Sequence, residues 1–506
     1  MRRRATALVC AATVVALGAC STSATPTSPV TSSASTASSS EPSPLPTSTV
    51  PSLGSAGLGD PYFPGDGNGG YDAVHYDLAV TVKPDLATIE GTSSMVAVAT
   101  QALSGFHLDL HSLTVHSVTV DGRTAAFTQD GSELVVTPSS PLVSGASFTT
   151  RITYSGAPTR LAAPDVDNGW YHDATRATVL GEPQAASMWF PVNEHPSDKA
   201  TYNVVATVPA GKTAVSNGLP VGDPVTRGAL TTWHWRSQHP MASYLVLLAI
   251  GDYTLVRTTS HSGIPIIDAV DPSVAKDAAP ALAQQSAILD FLAADFGPYP
   301  FEAAGAVIAR GLPEVALETQ TRSLYAAELF GPDGNGPSIL VHETAHQWFG
   351  DSVSLSRWRD IWLNEGFATY AELLWAAKQG TVDPTQVIPD TLSNLAPDDA
   401  LWQTDISNPG TKELFGGAVY QRGSLVLEAL REVVGDDAFF TTLRRWAAEH
   451  RDGNGTTAEF VALAQKVSTR DLTEVFDTWL YGAGKPDGWD PAAVARRHPL
   501  GSAPVG

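Results

Sequence analysis

A chain of 506 residues is too long for one ordinary hydrophobic core and calls for two or more folded units. Hydrophobic residues make up 43% and charged residues 16%, the balance of a globular protein. The formal charge of −22 repels phosphate backbones and argues against nucleic acid as a partner. The acidity fits a solvated surface. A field that draws in cationic peptides is the sharper alternative, and composition leaves both open.

The two cysteines, Cys10 and Cys20, both stand in the first twenty residues, so the mature core is expected to hold no disulfide. Arg2 to Arg4 give a positive start, Ala5 to Leu17 is apolar, and Leu17-Gly18-Ala19-Cys20 closes the stretch with small residues. It is shorter than the roughly 20 residues that cross a bilayer, so residues 1–19 read as an export signal. The ending resembles the bacterial lipoprotein signal, which implies cleavage before Cys20 and lipid on that cysteine. The alternative is an ordinary signal peptide that contains a cysteine. Either reading places the mature chain outside the cytoplasm, and the first anchors it to the outer face of the cell membrane. Residues 20–58 are dominated by Ser, Thr, Pro and Ala, too little apolar bulk to offset the entropy of ordering, and read as a flexible tether.

Residues 59–256 form the next expected unit. Tyr76, Leu78, Val80 and Val82 alternate with polar or small residues, as do Phe148 to Tyr154 and Tyr202 to Val208. Asp121-Gly122 between two such runs is a hairpin signal. These patterns predict an antiparallel β-rich domain. After residue 257 the period changes: Leu282, Ile288, Leu289, Leu292 and Phe296 fit one helical face, and Leu425, Leu427 and Leu430 another. Residues 257–486 are therefore expected to be mainly helical, with a strand near Gly305 to Ile308. The fold class is α+β. Residues 487–506 are rich in Pro, Gly and Ala and read as a tail that frays.

The chemistry sits between Ser338 and Leu374. His342-Glu343-Thr344-Ala345-His346 lies in a run free of Gly and Pro from Ser338 to Phe349, which predicts a helix stopped by Gly350. Histidines four apart share one helical face and can reach one metal ion, with Glu343 beside them as general base for the attacking water. Eighteen residues, enough for a turn and a second helix from about Asp360, separate His346 from Glu365. It supplies a third ligand, and Gly366 beside it permits a close approach between the two helices. Three protein ligands leave a coordination position open, the design of a catalytic zinc site with one ion.

The segment from His342 through Gln347-Trp348-Phe349-Gly350-Asp351, followed by Trp362-Leu363-Asn364-Glu365-Gly366-Phe367-Ala368, resembles the aminopeptidase N-like zinc metallopeptidases (gluzincin aminopeptidases). Phe190-Pro191 through Glu194, Pro196 and Lys199-Ala200-Thr201 partly matches another motif of that family, and Phe476, Trp479, Gly484 and Pro486 match the close of its catalytic domain. The resemblance covers about Tyr71 to Pro486. It implies a β-domain followed by a thermolysin-like catalytic domain, in a short form without the large helical domain of many relatives. It also implies that Glu318 and Glu182 hold the free α-amine of a peptide substrate and that Tyr420, in Val419-Tyr420-Gln421-Arg422-Gly423, stabilises the oxyanion. Around Glu318 the sequence departs from the family's G-x-M-E-N: Val315, Leu317 and Thr319 replace its glycine, methionine and asparagine.

Two carboxylates that hold an α-ammonium one residue from the scissile carbonyl would make the enzyme an aminopeptidase acting on peptides with a free N-terminus. The nearer alternative is a zinc endopeptidase on the same scaffold. The more distant one is a surface binding lipoprotein that keeps zinc without catalysis, which the presence of both Glu343 and Tyr420 disfavours.

Overall fold

The structure, a computed structural model, describes residues 50–163, 166–331 and 334–503. Cys20, the expected export signal and most of the tether lie outside them. A nine-stranded sheet dominates the first half. In spatial order it runs Leu219–Pro220, Leu230–Met241, Ala200–Pro209, Tyr71–Val82, Ile89–Ala99, Ser147–Gly156, Leu113–Val120 and Arg123–Thr124, with Val225–Arg227 added beside Leu230–Met241. Alternation works as predicted: Tyr76, Leu78, Val80 and Val82 are buried while the residues between them face outward or are half-buried. Asp121 and Gly122, both at positive φ, close the hairpin between the last two strands.

The sheet is mixed rather than purely antiparallel. Ala200–Pro209 lies parallel to Tyr71–Val82, with Tyr202 opposite Tyr76 and their rings stacked at 5.1 Å. The long stretch between those strands supplies the crossover that parallel pairing requires. Two smaller sheets complete this half. One pairs Ser52–Leu53 parallel to Leu103–Asp109, so ordered structure begins inside the stretch expected to be tether.

A further five-stranded sheet, ordered Thr254–Thr259, Pro265–Val270, Ala306–Ala309, Ser323–Ala326 and Ala316–Leu317, opens the second half. Its first strand straddles residue 256. The helices follow: α1 Ala275–Leu282, α2 Gln285–Phe296, α3 Gly336–Ala345, α4 Trp362–Lys378, α5 Pro384–Asn394, α6 Ala400–Gln403, α7 Gly417–Val434, α8 Asp436–Glu449, α9 Thr457–Ser468, α10 Thr473–Trp479 and α11 Pro491–Arg497. Leu282 closes α1 and so does not share a helix with Ile288 to Phe296. The expected fraying tail contains α11, whose Val494 is buried and which packs on α7. One continuous apolar core reaches from Tyr71 to Val494 through both halves. No helix among the described residues is long and apolar enough to cross a membrane.

Candidate active site

Helix α3 begins two residues earlier than the sequence suggested, with Pro337 in its first turn, and ends at Ala345 rather than Phe349. His346 keeps helical angles as the C-cap, so the two histidines still stand one turn apart. The chain then turns sharply: the Asp351 amide donates to the His346 carbonyl at 3.0 Å, and the Gly350 amide to Val353 at 2.9 Å. Gly350 sits at φ +136°, and a Cβ there would come within 3.2 Å of His346 Nδ1. The turn that ends the helix is thus built around the imidazole it positions.

Helix α4 brings Glu365 against the pair. Its Oε2 lies 3.2 Å from His342 Nε2 and 3.4 Å from His346 Nε2, and all three residues are buried. The other ring nitrogens are occupied. His342 Nδ1 is 2.8 Å from Glu372 Oε1, and His346 Nδ1 is 3.0 Å from the Phe349 carbonyl. A carbonyl can only accept, so His346 carries a proton on Nδ1, which leaves Nε2 as the nitrogen that faces Glu365. Ser338 donates to the second oxygen of Glu372 and fixes that carboxylate in turn. Two imidazole nitrogens and a carboxylate oxygen within 4.8 Å of one another, each braced from behind, fit a zinc ion.

Without an ion these groups hold each other by charge. Burial alone would raise the Glu365 carboxyl, yet His346 and His342 bring it down to about 2. Burial alone would favour the neutral ring of His346, yet Glu365 and Glu318 bring it up to about 9. Glu343, beside them, is lifted to about 8 by burial and by Glu318 and Glu365, against the pull of the two histidines.

The other predicted residues arrive from separate elements. Glu318 follows the edge strand Ala316–Leu317, and its carboxylate lies within 4.8 Å of ligand atoms of Glu343 and His346. The Tyr244 hydroxyl donates to Glu318 Oε1 at 3.1 Å, and Gln347 Nε2 donates to the Glu318 carbonyl at 2.9 Å. Thr319 turns its hydroxyl to the Arg322 carbonyl at 2.6 Å, so it does not present a donor to the cleft as an asparagine amide could. Glu182 sits close enough to Glu318, Glu365 and Glu343 that their charges add to burial in raising its carboxyl, and its Oε1 has no hydrogen-bond partner in the protein. Tyr420, in the first turn of α7, lies with its ring 6.0 Å from that of His342. All seven residues therefore meet at one place; Cys20 lies outside the described residues.

Gly366 does permit a close approach, but not to α3. A Cβ on it would come within 2.8 Å of the Gly423 Cα, so α4 crosses α7 there and carries Glu365 up to the helix of Tyr420. The sequence reading also missed Glu372, which a two-turn spacing from Glu365 on one helical face could have revealed. It missed Tyr244 as well, and noted Gln347 only as part of a motif. Lys199, noted only as part of a motif, reaches in from the first half. Its Nζ donates to the carbonyls of Asp351, Ser352 and Gly453 at 2.8, 2.9 and 3.2 Å and holds the turn after α3.

Comparison with known proteins agrees with this architecture. Residues 72–245 match the Peptidase M1 N-terminal domain and residues 281–479 the Peptidase family M1 domain. The fold is similar to a crystal structure of an M1 zinc metallopeptidase from Deinococcus radiodurans, with a TM-score of 0.78 and 30% identity over 85% of this chain and 98% of that one. A glutamate-to-alanine mutant of that enzyme bound to a Tyr-Ser-Ala substrate aligns at 30% identity and a TM-score of 0.78, over 85% of this chain and 99% of that one. Glutamyl aminopeptidase of Rattus norvegicus is 28% identical over 60% of this chain and 34% of its own length. The chain belongs to peptidase family M1. It spans about a third of the length of that curated relative.

Proposed function

We propose that the protein is a zinc aminopeptidase that removes the N-terminal residue from peptides. The observation that supports this most directly is the placement of Glu318, whose carboxylate lies within 4.8 Å of ligand atoms of both Glu343 and His346. An α-ammonium paired with Glu318 and Glu182 sets its own carbonyl, two bonds away, in front of the general base. Internal peptide bonds lack that cation, and burying two carboxylates beside a neutral amide would be unfavourable.

When bound by His342, His346 and Glu365, zinc supplies a Lewis acid for the scissile carbonyl. Glu343 takes the proton of the attacking water and passes it to the leaving amine. Tyr420 donates a hydrogen bond to the oxyanion, a type of contact worth about 2.7–4 kcal/mol. The peptide carried by the Deinococcus relative supports a peptide-shaped cleft here.

Hydrolysis of one peptide set with free and with acetylated N-termini, with and without a chelator, tests the reading. Chelator-sensitive cleavage confined to free amines is the expected outcome; internal cleavage of blocked peptides would move the enzyme to the endopeptidases. We also propose export and lipidation at Cys20, on the pattern of residues 1–20 alone. A Cys20→Ala chain should then leave the membrane fraction, and unchanged fractionation would refute the anchor.

A further inference from the structure

Helix α7 opens without a cap of its own. Gly416 precedes it and offers no side chain to the free amides of the first turn, where Tyr420 stands. The loop that leads there, from Thr404 to Gly416, is pinned from the other end of the described chain. The Tyr62 hydroxyl donates to Asn408 Oδ1 at 2.8 Å and accepts from the Gly410 amide at 2.8 Å.

Tyr62 is itself held. Asp60, buried, accepts from the Tyr62 amide at 2.8 Å through one oxygen and from the Trp358 amide at 3.0 Å through the other. Trp358 begins the turn into α4. The Phe63 ring meets it edge-on at 6.0 Å, and the ring of Tyr244, the residue that donates to Glu318, lies 5.4 Å from it. Asp60, Tyr62 and Phe63 therefore touch the segments that lead into two of the helices that supply the site, α4 with Glu365 and α7 with Tyr420.

We propose that Tyr62 is a positioning residue for Tyr420. Its two hydrogen bonds set the course of the Thr404–Gly416 loop and hence the point from which the Tyr420 hydroxyl meets substrate. The inference rests on the reading of Tyr420 as donor to the oxyanion. Phenylalanine at position 62 keeps the ring and removes only the hydroxyl. Because the segment is half-exposed, water can satisfy Asn408 and Gly410 afterwards, and the fold persists while the loop loses its anchor. An oxyanion contact is made mainly in the transition state, so the loss belongs in kcat rather than KM.

The test is a double-mutant cycle on the full chain with Tyr-Ser-Ala as substrate. Tyr62→Phe should lower kcat about tenfold with KM nearly unchanged, as a sub-ångström displacement of a catalytic group does. In a Tyr420→Phe background the same substitution should change kcat less than twofold. Asn408→Leu should reproduce the loss, and Asn408→Asp, which keeps an acceptor oxygen, should restore most of it. A full tenfold loss in the Tyr420→Phe background would show a diffuse structural effect and overturn the proposal. So would a Tyr62→Phe enzyme with wild-type kcat while Tyr420→Phe is impaired. Wild-type kcat in Tyr420→Phe alone would instead remove the oxyanion reading and this inference with it.

Discussion

Substituting Gly423 by alanine tests whether the contact between α4 and α7 sets the geometry of the site. The new Cβ would lie 2.8 Å from the Gly366 Cα. Ordinary contacts of this kind begin at 3.4 Å, so the helices must part locally by about 0.6 Å or more. Both partners are main chain and neither can swing aside. Overpacking of this sort costs about 1–3 kcal/mol. Alanine in mid-helix returns about 1 kcal/mol of propensity, so the net loss of stability is small, about 1 kcal/mol. Activity responds differently. Glu365 neighbours Gly366, and Tyr420 stands one turn before Gly423, so the displacement falls between the proposed metal ligand and the proposed oxyanion donor. A shift approaching 1 Å at such a point costs up to about 100-fold. Gly423→Ala should therefore lower kcat/KM ten- to a hundredfold while the unfolding midpoint in urea moves only slightly. Wild-type turnover at full zinc occupancy would refute the claim that this crossing positions the chemistry. A parallel collapse of stability and activity would assign the contact to folding instead.

Glu372→Gln keeps the shape behind His342 but replaces the carboxylate that orients its ring, and zinc affinity should fall about 10–100-fold in competition with a chromogenic chelator. Unchanged affinity would mean that Glu372 does not brace the ligand. His239, on Leu230–Met241, pairs with Asp452 at 3.1 Å, and that hydrogen bond outweighs burial and raises the imidazole above its usual value. A raised folded-state value stabilises most fully below the unfolded value near 6.5, and the contribution disappears as pH climbs through the folded value. The pair is substantially solvated, so the effect is below about 1 kcal/mol. Thermal melts of His239→Gln should show a deficit at pH 6 that closes by about pH 9; a deficit independent of pH would contradict the charged pair.

The parts of the site that could be read from sequence are those whose geometry is helical and local. His342, Glu343 and His346 follow from one turn of helix, and Glu365 from the turn and return that eighteen residues allow. Glu372 was legible by the same rule, seven residues beyond Glu365, but its significance depends on His342 lying beneath it. Tyr244 carries no local signal at all. Its hydroxyl reaches Glu318 from a short turn 74 residues earlier in the chain. Gly366 shows the limit of such reasoning: its smallness was plain from sequence, but the helix it admits, α7, begins about fifty residues later. The ends of the fold misled for a related reason. Ser52–Leu53 and Pro491–Arg497 are short, and the neighbours they dock against hold them as strand and helix, although the Asp490 cap and Pro491 did mark a helix start. The parallel pairing of Ala200–Pro209 with Tyr71–Val82 was likewise invisible, because alternation reports which face is buried and not which strand lies alongside.

Lys199 gives the two halves a common inheritance. Its Nζ ends on three main-chain carbonyls of the catalytic half, near enough to Asp351 and Asp452 for their charges to act on it. A catalytic half transplanted onto a foreign β-domain would keep every residue of its zinc site and still carry three carbonyls aimed at a missing cation. Recombination among relatives should accordingly exchange the pair as one cassette, and a chimera cut between them would need a lysine rebuilt at this position before its turn after α3 could close.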